Sequence, residues 1–284
     1  MMRCALAAST LALATACGTP GTLPCDHLAA SAAECPPTLW PCPKSATMGT
    51  TALKVDSTAF KFSGATHRDV VAAAARYAGA DSLMFPHAVP AAEAAADAGL
   101  AGCVVTVKND TQILQLETDE SYTLKAAASG CTIESETYVG ALRAMETLSQ
   151  LVKFDFDTQT YSIASAPIEV DDAPRFHHRE VLVDTSRHFE PVETLKALID
   201  SLTYGKINVI HWHLVDQQSF PFDSKKRPLL SQKGAYSPQE RYTAMDVAGE
   251  FAYMFAFWFW SLGVTQPRCE SQRWSSTAAP VACG

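Results

Sequence analysis

Apolar and polar positions between residues 175 and 222 alternate in a way that predicts a strand, a helix and a second strand. Residues 180–186 form a short run rich in β-branched side chains, and residues 207–216 form a second apolar run of strand length. Pro191 opens the segment between them, and Gly205 is expected to close it in a left-handed conformation. Apolar residues recur at helical spacing in that segment: Val192, Leu195, Leu198, Ile199 and Leu202. Two parallel strands joined by such a helix form a right-handed βαβ unit.

Polar side chains gather where the two predicted strands end. Asp184, Thr185, Ser186 and Arg187 end the first strand, and Asp216 ends the second. Parallel strands direct their carboxyl ends toward one edge of a sheet, where such folds place binding and catalytic groups. The pattern therefore predicts a functional site that contains Arg187 and Asp216.

Residues 39–164 show a mixed pattern of short strands and helices. Strands are predicted over 103–107, 112–116, 121–126 and 131–135, and helices over 67–80 and 137–152. Strands flanked by helices predict a small α/β sandwich domain. No group of residues with catalytic spacing occurs there, so the expected role of this domain is structural. Asp171, Asp172 and Pro174 favour a loop, and a linker is expected over 165–178.

The first 16 residues have the order of a secretory signal peptide. Arg3 precedes a short apolar run, and Ala14-Thr15-Ala16 supplies a small-x-small cleavage pattern. A lipoprotein signal that ends at Cys17 is the alternative, but its leucine lies one position too far from that cysteine. The secretory pathway is therefore expected, with a lysosomal or extracellular destination.

Residues 17–38 form a segment rich in cysteine and proline. Cys17, Cys25, Cys35 and Cys42 are candidates for disulfides in an oxidising compartment, and four cysteines allow three pairings. A zinc site is the alternative, but no Cys-x-x-Cys or histidine pair accompanies these residues. Asn109 begins an Asn-Asp-Thr sequon and is a candidate for N-glycosylation.

Composition excludes some classes of partner. The chain of 284 residues is 48% hydrophobic and 18% charged, which is typical of a globular protein. Its formal net charge of −8 argues against binding nucleic acid or an anionic membrane surface, because both require a basic surface.

The strand-end motifs carry a family resemblance. LVDTSRHF, YGKINVIHWHLVD and QSFPF resemble the first barrel unit of the β-N-acetylhexosaminidases, and the LWP at residues 39–41 and the helix from Ser135 resemble their N-terminal domain. The resemblance implies an α/β chain: a sandwich domain over 39–164, then the first βα units of an incomplete TIM (β/α)₈ barrel over 165–250. It implies glycans ending in N-acetylglucosamine or N-acetylgalactosamine as partners, no cofactor, and a possible homodimer at full length.

The resemblance assigns roles to the two strand-end residues. Arg187 matches the arginine that holds hydroxyls of the terminal sugar, and Asp216 matches an aspartate that orients a histidine and the general acid. An ion pair of Arg187 with Asp184 or Glu190, and a turn cap by Asp216, are the structural alternatives. Gln217 and Glu180 depart from the family pattern. The family usually has glycine at the position of Glu180, and a bulky acid there is expected to strain the start of the strand.

Histidines in this region raise the possibility of a metal site. His211 and His213 share one face of a strand, as in metal-dependent amidohydrolases, but no further ligands follow in a recognisable arrangement. The resemblance implies that they belong to the strand core and bind no metal. His177 and His178 are expected to be structural, and Phe176 is expected to pack against the barrel floor.

The catalytic pair of the family does not occur in these residues. In the family the N-acetyl oxygen of the substrate attacks the anomeric carbon, an aspartate supports the oxazolinium, and the adjacent glutamate is the general acid. That pair follows two glycines, and no Gly-Gly-Asp-Glu occurs in this sequence. No catalytic residue is therefore assigned, and a non-catalytic glycan-binding relic or an erroneous gene product is the alternative.

The resemblance is lost after residue 254, within the divergent tail over 251–284. Residues 251–264 are aromatic and apolar, but 14 residues are fewer than the roughly 20 that a membrane helix needs. One choice of synonymous codons for residues 269–277, read from the third base, encodes RVAAVEFD, which is similar to the third barrel strand of the family. The tail is therefore expected to be mis-spliced or out of frame.

Overall fold

The computed structural model describes residues 35–78, 82–90, 99–110 and 114–249. The predicted signal peptide, most of the segment rich in cysteine and proline, and the tail over 251–284 lie outside these residues.

Seven strands form one mixed sheet in the N-terminal part. They are β1 (Ser45–Val55), β2 (Lys61–Ser63), β3 (Gly102–Asn109), β4 (Tyr122–Ala127), β5 (Gly130–Thr137), β6 (Val152–Asp155) and β7 (Thr160–Asp172). Their order is β1-β7-β4-β5-β3-β2, with β6 also paired to β7. The pairs β2/β3 and β3/β5 are parallel, and the remaining pairs are antiparallel. We call this part the sheet domain.

Two helices cover one face of the sheet domain, α1 (Arg68–Tyr77) and α2 (Tyr138–Leu151). Side chains of β5 alternate strictly between exposed and buried, as expected for a sheet with one solvated face. Gly140 lies where α2 meets the chain before β4, and a Cβ there would come within 2.3 Å of the Ser121 carbonyl oxygen. Only glycine allows this close approach.

The βαβ unit predicted from the apolar pattern is confirmed. Strands β8 (Glu180–Asp184) and β9 (Val209–His213) pair in parallel and are joined by α3 (Val192–Tyr204), and a short α4 (Pro228–Gly234) follows. Tyr242 is fully buried on this unit, where its ring stacks on Phe189 and meets the edge of Trp212.

The left-handed position after α3 differs from the prediction. Gly205 has an ordinary φ of −86°, whereas Lys206 has a φ of +53°. The prediction followed the low cost of this conformation for glycine. The side chain of Lys206 makes tertiary contacts, and these contacts explain why the left-handed conformation falls on Lys206 instead of Gly205.

Three further predictions are corrected. Residues 114–116, the described part of the strand predicted over 112–116, lie in a turn region. The linker predicted over 165–178 is strand β7 as far as Asp172, because both β1 and β4 pair with it. Phe176 is not packed, since 64% of its surface is exposed. The strands over 103–107, 121–126 and 131–135 and both helices are confirmed with slightly different bounds.

Two disulfides lie within the described residues. Cys35 and Cys42 are bonded, so two of the four candidate cysteines pair with each other, and Cys17 and Cys25 lie outside the described residues. Cys103 on β3 and Cys131 on β5 form a second disulfide that the sequence reasoning did not foresee. In the described part of the chain, no helix combines the length and the apolar character that crossing a bilayer requires.

Candidate functional site

Strands β8 and β9 bring their carboxyl ends together, as the sequence predicts. The Thr185 amide donates to the His213 carbonyl at 3.1 Å, and the Trp212 indole donates to the Thr185 hydroxyl at 2.7 Å. The Ser186 hydroxyl donates to the Ser219 carbonyl at 2.8 Å. These bonds fix the loop after β8 against the loop after β9.

Arg187 lies between two carboxylates. Its Nε donates to Asp184, and its Nη1 donates to Asp216 Oδ2 at 2.6 Å. Asp184 also accepts the backbone amides of Ser186 and Arg187, at 3.0 and 3.1 Å. The ion pair with Asp184, which was the structural alternative to a sugar contact, is therefore present. Glu190 instead pairs with His188, at 2.9 Å.

The guanidinium of Arg187 is oriented but accessible. About half of its side chain is exposed, at 53%, whereas Asp184 and Asp216 are 22% and 18% exposed. A guanidinium has five N–H donors. Among the described residues, the hydrogen bonds of this guanidinium come from Nε and Nη1, so donors on Nη2 have no partner there.

Asp216 joins Arg187 to a histidine. His213 Nε2 lies 2.9 Å from Asp216 Oδ2, and the Gln217 amide donates to Oδ1. The hydrogen bond from His213 holds the pKa of Asp216 below its ordinary value of 3.8, and the Gln217 amide and the charge of Arg187 act in the same direction. The turn-capping role and the contact with a histidine are thus both present in the structure.

The lowered pKa of Asp216 predicts how the site responds to acid. A carboxyl group with a lowered pKa contributes stability above its ordinary value and loses it as the pH falls through the lowered pKa. We expect the ¹³C chemical shift of the Asp216 carboxyl to titrate with a midpoint below 3.8. His213→Ala should raise that midpoint toward 3.8, whereas His188→Ala should not change it. A wild-type midpoint at or above 3.8, or no change in His213→Ala, would contradict the prediction.

Glu180 and two histidines form a separate cluster at the start of β8. Glu180 Oε2 lies 3.0 Å from His178 Nε2, and Oε1 lies 3.1 Å from His211 Nδ1. Burial acts to raise the pKa of Glu180, but the hydrogen bonds from His211 and His178 outweigh it and lower the pKa. Glu180 does not have a positive φ, and its side chain is 27% exposed.

His211 and His213 are less buried than the sequence reasoning expected. Their side chains are 45% and 34% exposed, and each hydrogen-bonds a carboxylate. Side chains alternate along β9, so both histidines lie on one face of that strand. Within the described ranges no group of three or more histidine, cysteine, aspartate or glutamate side chains has an arrangement that could hold a metal ion.

Comparison with known families covers both parts of the structure. Residues 176–256 match the catalytic domain of glycosyl hydrolase family 20, and residues 39–151 match a domain described as beta-acetyl hexosaminidase like. The two matches together take in more than half of the chain. The chain belongs to glycosyl hydrolase family 20.

Curated relatives of this family 20 chain are hexosaminidases. Beta-hexosaminidase 1 of Arabidopsis thaliana is 36% identical over 266 residues, which are 87% of this chain and 47% of that protein. Beta-hexosaminidase subunit beta of Mus musculus is 46% identical over 133 residues, which are 46% of this chain and 24% of that protein. The family 20 chain therefore spans less than half the length of these relatives.

Solved family 20 structures share the fold. The Flavobacterium johnsoniae chitobiase has a TM-score of 0.61 at 26% identity, with 77% of this chain and 33% of that chain covered. The Vibrio harveyi exo-β-N-acetylglucosaminidase in complex with N-acetylglucosamine has a TM-score of 0.59 at 22% identity, with 80% and 35% covered. These barrel enzymes support a mixed α/β architecture for the family 20 chain.

Sequence reasoning missed the residues that join the two parts of the family 20 chain. Lys206 and Glu120 are buried, at 4% and 6% exposure, and each forms an ion pair across the junction, Lys206 with Asp172 and Glu120 with Arg179. The signal available in the sequence was the stretch Gly205-Lys206-Ile207-Asn208, which lies directly before β9. It contains two polar residues where the apolar run of a strand was expected to begin.

Proposed function

We propose that this chain supplies the N-terminal part of a β-N-acetylhexosaminidase. In this proposal the sheet domain is non-catalytic and extends to the end of β7 at Asp172, and the first βα units of a (β/α)₈ barrel follow it, up to residue 250. The parallel β8–α3–β9 unit has the connection that such a barrel repeats. The catalytic-domain match that starts at residue 176 supports the same boundary region.

The family match indicates glycans that end in an N-acetylhexosamine as the substrate class, and the strand ends supply a residue to bind them. We assign Arg187 to the hydroxyl groups of a terminal N-acetylglucosamine or N-acetylgalactosamine. The observation that carries this assignment is a guanidinium held by Asp184 and Asp216 while 53% of its side chain stays exposed. A planar fork of donors fixed in this way suits paired sugar hydroxyls. Asp216 keeps the fork in place and contacts His213.

Hydrolysis would need groups outside these 284 residues. In the proposed retaining mechanism the N-acetyl oxygen of the substrate attacks, an aspartate supports the oxazolinium, and a glutamate protonates the leaving oxygen. The only Asp-Glu dipeptide in the sequence is Asp119-Glu120, which lies in the sheet domain. Glu120 is paired there with Arg143 and Arg179 and is buried, so it does not reach a substrate.

The sugar contact predicts weak binding that depends on Arg187. We expect the chain to bind N-acetylglucosamine with a dissociation constant of about millimolar, because one oriented guanidinium supplies only a few hydrogen bonds. Arg187→Ala should reduce the affinity about tenfold. Chemical-shift titration of the intact chain measures both values.

Arg68→Ala is the matched control for this titration. Arg68 is an exposed arginine that also pairs with an aspartate, but it lies on α1, in the sheet domain. Equal sugar affinity of the wild-type and Arg187→Ala chains would contradict the proposed role of Arg187. A loss of affinity in Arg68→Ala as large as the loss in Arg187→Ala would contradict it as well.

The secretory pathway is part of the proposal. Two disulfides in the described residues support an oxidising compartment, since cytosolic proteins rarely keep them. Asn109 is exposed at the end of β3, which suits glycosylation, although the Thr111 of its sequon lies outside the described residues. A lysosomal or extracellular destination and a homodimer at full length belong to the same proposal.

A further inference from the structure

A buried polar cluster joins the sheet domain to the starts of β8 and β9. We call it the strand-start clamp. The sheet domain contributes Glu120, Tyr122, Arg143, Thr147 and Asp172, and the βαβ unit contributes Arg179, Lys206 and Asn208. The clamp lies at the opposite ends of the strands from Arg187 and Asp216.

Lys206 uses all of its ammonium donors within the clamp. Nζ donates to the Tyr122 hydroxyl at 2.8 Å, to the Thr147 hydroxyl at 2.8 Å and to Asp172 Oδ2 at 3.0 Å. The residue is 4% exposed. The left-handed backbone conformation of Lys206 costs free energy. The same conformation at Gly205, one position earlier, would avoid this cost because glycine has no Cβ. The chain therefore tolerates strain at Lys206 in order to place this side chain.

Glu120 holds the second half of the clamp. It accepts from Arg143 Nε at 2.7 Å, from Arg179 Nη2 at 2.6 Å and from Asn208 Nδ2 at 3.1 Å. One carboxylate of the sheet domain thus contacts a residue directly before β8 and a residue directly before β9. A buried carboxylate with this many donors is stable only while the partners remain in place.

The residues before the two strands are also bonded to each other. Asn208 Oδ1 accepts the Arg179 amide at 2.9 Å, and the Arg179 carbonyl accepts the amides of Asn208 and Val209 at 3.1 Å. Arg179 Nε donates to the Lys206 carbonyl at 2.7 Å. These contacts fix the position of one strand start relative to the other.

The relative position of the strand starts determines what meets at the strand ends. Glu180 pairs with Val209 and Asp184 with His213, and each strand has five residues. A slip of one residue would turn the side chains of one strand to the opposite face. The clamp and the Arg187–Asp216 contact are about 17 Å apart along such strands.

We propose that the strand-start clamp sets the register of β8 and β9, with Lys206 and Glu120 as positioning residues for the strand-end site. The relevance to sugar binding rests on the proposed function, but the register itself is measured without any sugar. The β8–β9 pair has few other constraints, because it is a two-stranded sheet in the described part of the chain. The sheet domain provides the rigid reference against which both strands are placed.

Amide hydrogen exchange on the intact chain tests the register. The Thr185 amide bonds across the strand ends to the His213 carbonyl and reports on β8–β9 pairing, and the Leu124 amide reports on the sheet domain. In Lys206→Met we expect exchange at Thr185 to rise about a hundredfold, with less than about a threefold change at Leu124. The titration midpoint of Asp216 should also rise toward 3.8.

Three further variants separate the effect of the Lys206 side chain from the effect of its surroundings. Lys206→Gly relieves the left-handed backbone but removes the ammonium group, so it should raise exchange at Thr185 as Lys206→Met does. Lys125→Met removes a surface lysine that pairs with Glu169 and should change neither amide. Thr147→Val removes one acceptor of Lys206 and should give a smaller increase at Thr185 alone.

Several results would overturn the proposal. Wild-type exchange at Thr185 in Lys206→Gly would show that the side chain does not set the register. Equal loss of protection at Thr185 and Leu124, in both Lys206→Met and Thr147→Val, would show that the cluster only stabilises the sheet domain. An Arg187→Ala chain that binds sugar as tightly as the wild-type chain would instead contradict the proposed function. It would leave the register result unchanged.

Discussion

The purified 284-residue chain should release no chromogen from an N-acetylglucosaminide above the buffer background between acidic and neutral pH. The reason is that these residues contain neither the general acid nor the carboxylate that supports the oxazolinium. General acid–base catalysis alone contributes about 10²- to 10⁴-fold to a rate. The strand-end arginine can orient a sugar, but it cannot protonate the leaving oxygen because a guanidinium gives up its proton only above about pH 12.

A spectrophotometric assay with p-nitrophenyl N-acetylglucosaminide measures this expectation, with a longer family 20 enzyme as the positive control. Arg187→Ala should stay at the same background rate as the wild-type chain. Turnover at ordinary enzyme rates that Arg187→Ala abolishes would contradict the prediction, because it would require an acid among the present residues.

Truncating the centre of the sheet-domain core should cost a large part of the stability of this domain. Ile133 lies on β5, is fully buried, and pairs across the sheet with Leu124, which is also fully buried. Ile133→Ala removes three carbons from a site enclosed by the sheet and α2, and the cavity cannot collapse easily. We expect the free energy of unfolding to fall by about 2–5 kcal/mol.

Urea unfolding followed by circular dichroism measures this change. Val104→Ala is the control, because Val104 lies on the neighbouring strand β3 but is 49% exposed. The control should change the free energy of unfolding by no more than about 0.5 kcal/mol. A similar loss in both variants would mean that the two faces of the sheet are equally buried, contrary to the structure.

The βαβ unit could be predicted because its information is local. The apolar repeat of α3 and the β-branched runs on either side each fit within about a dozen residues. The carboxyl ends of parallel strands meet by geometry, so Arg187 and Asp216 could be placed in one site from their positions alone. The 2.6 Å contact between them agrees with that reasoning.

The strand-start clamp could not be predicted because its partners are distant in the sequence. Glu120 and Asn208 are separated by 88 residues, and Lys206 and Tyr122 by 84. A charged residue before a strand gives no sign of the partner that neutralises it. The left-handed conformation of Lys206 was missed for the same reason, since local propensity favours Gly205 and a tertiary contact decides the outcome.

The extent of β7 was missed because its partners come from both ends of the sheet domain. Its polar positions, such as Asp171 and Asp172, resemble a loop when the sequence is considered alone. In the fold Asp171 pairs with both Ser45 and Thr123, and Asp172 accepts the ammonium group of Lys206. Tertiary pairing therefore overrides the weak local preference.

The pairing of β1 with β7 has a consequence for synthesis on the ribosome. Ser45 pairs with Asp171, so the ribosome must add more than a hundred further residues after β1 before its neighbour in the sheet has been synthesised. At about 5–20 residues per second, this delay lasts roughly 6–25 s. During that time β1 exposes an unpaired edge that a chaperone or a second nascent chain can occupy. The sheet domain is therefore expected to close only after its last strand has left the exit tunnel.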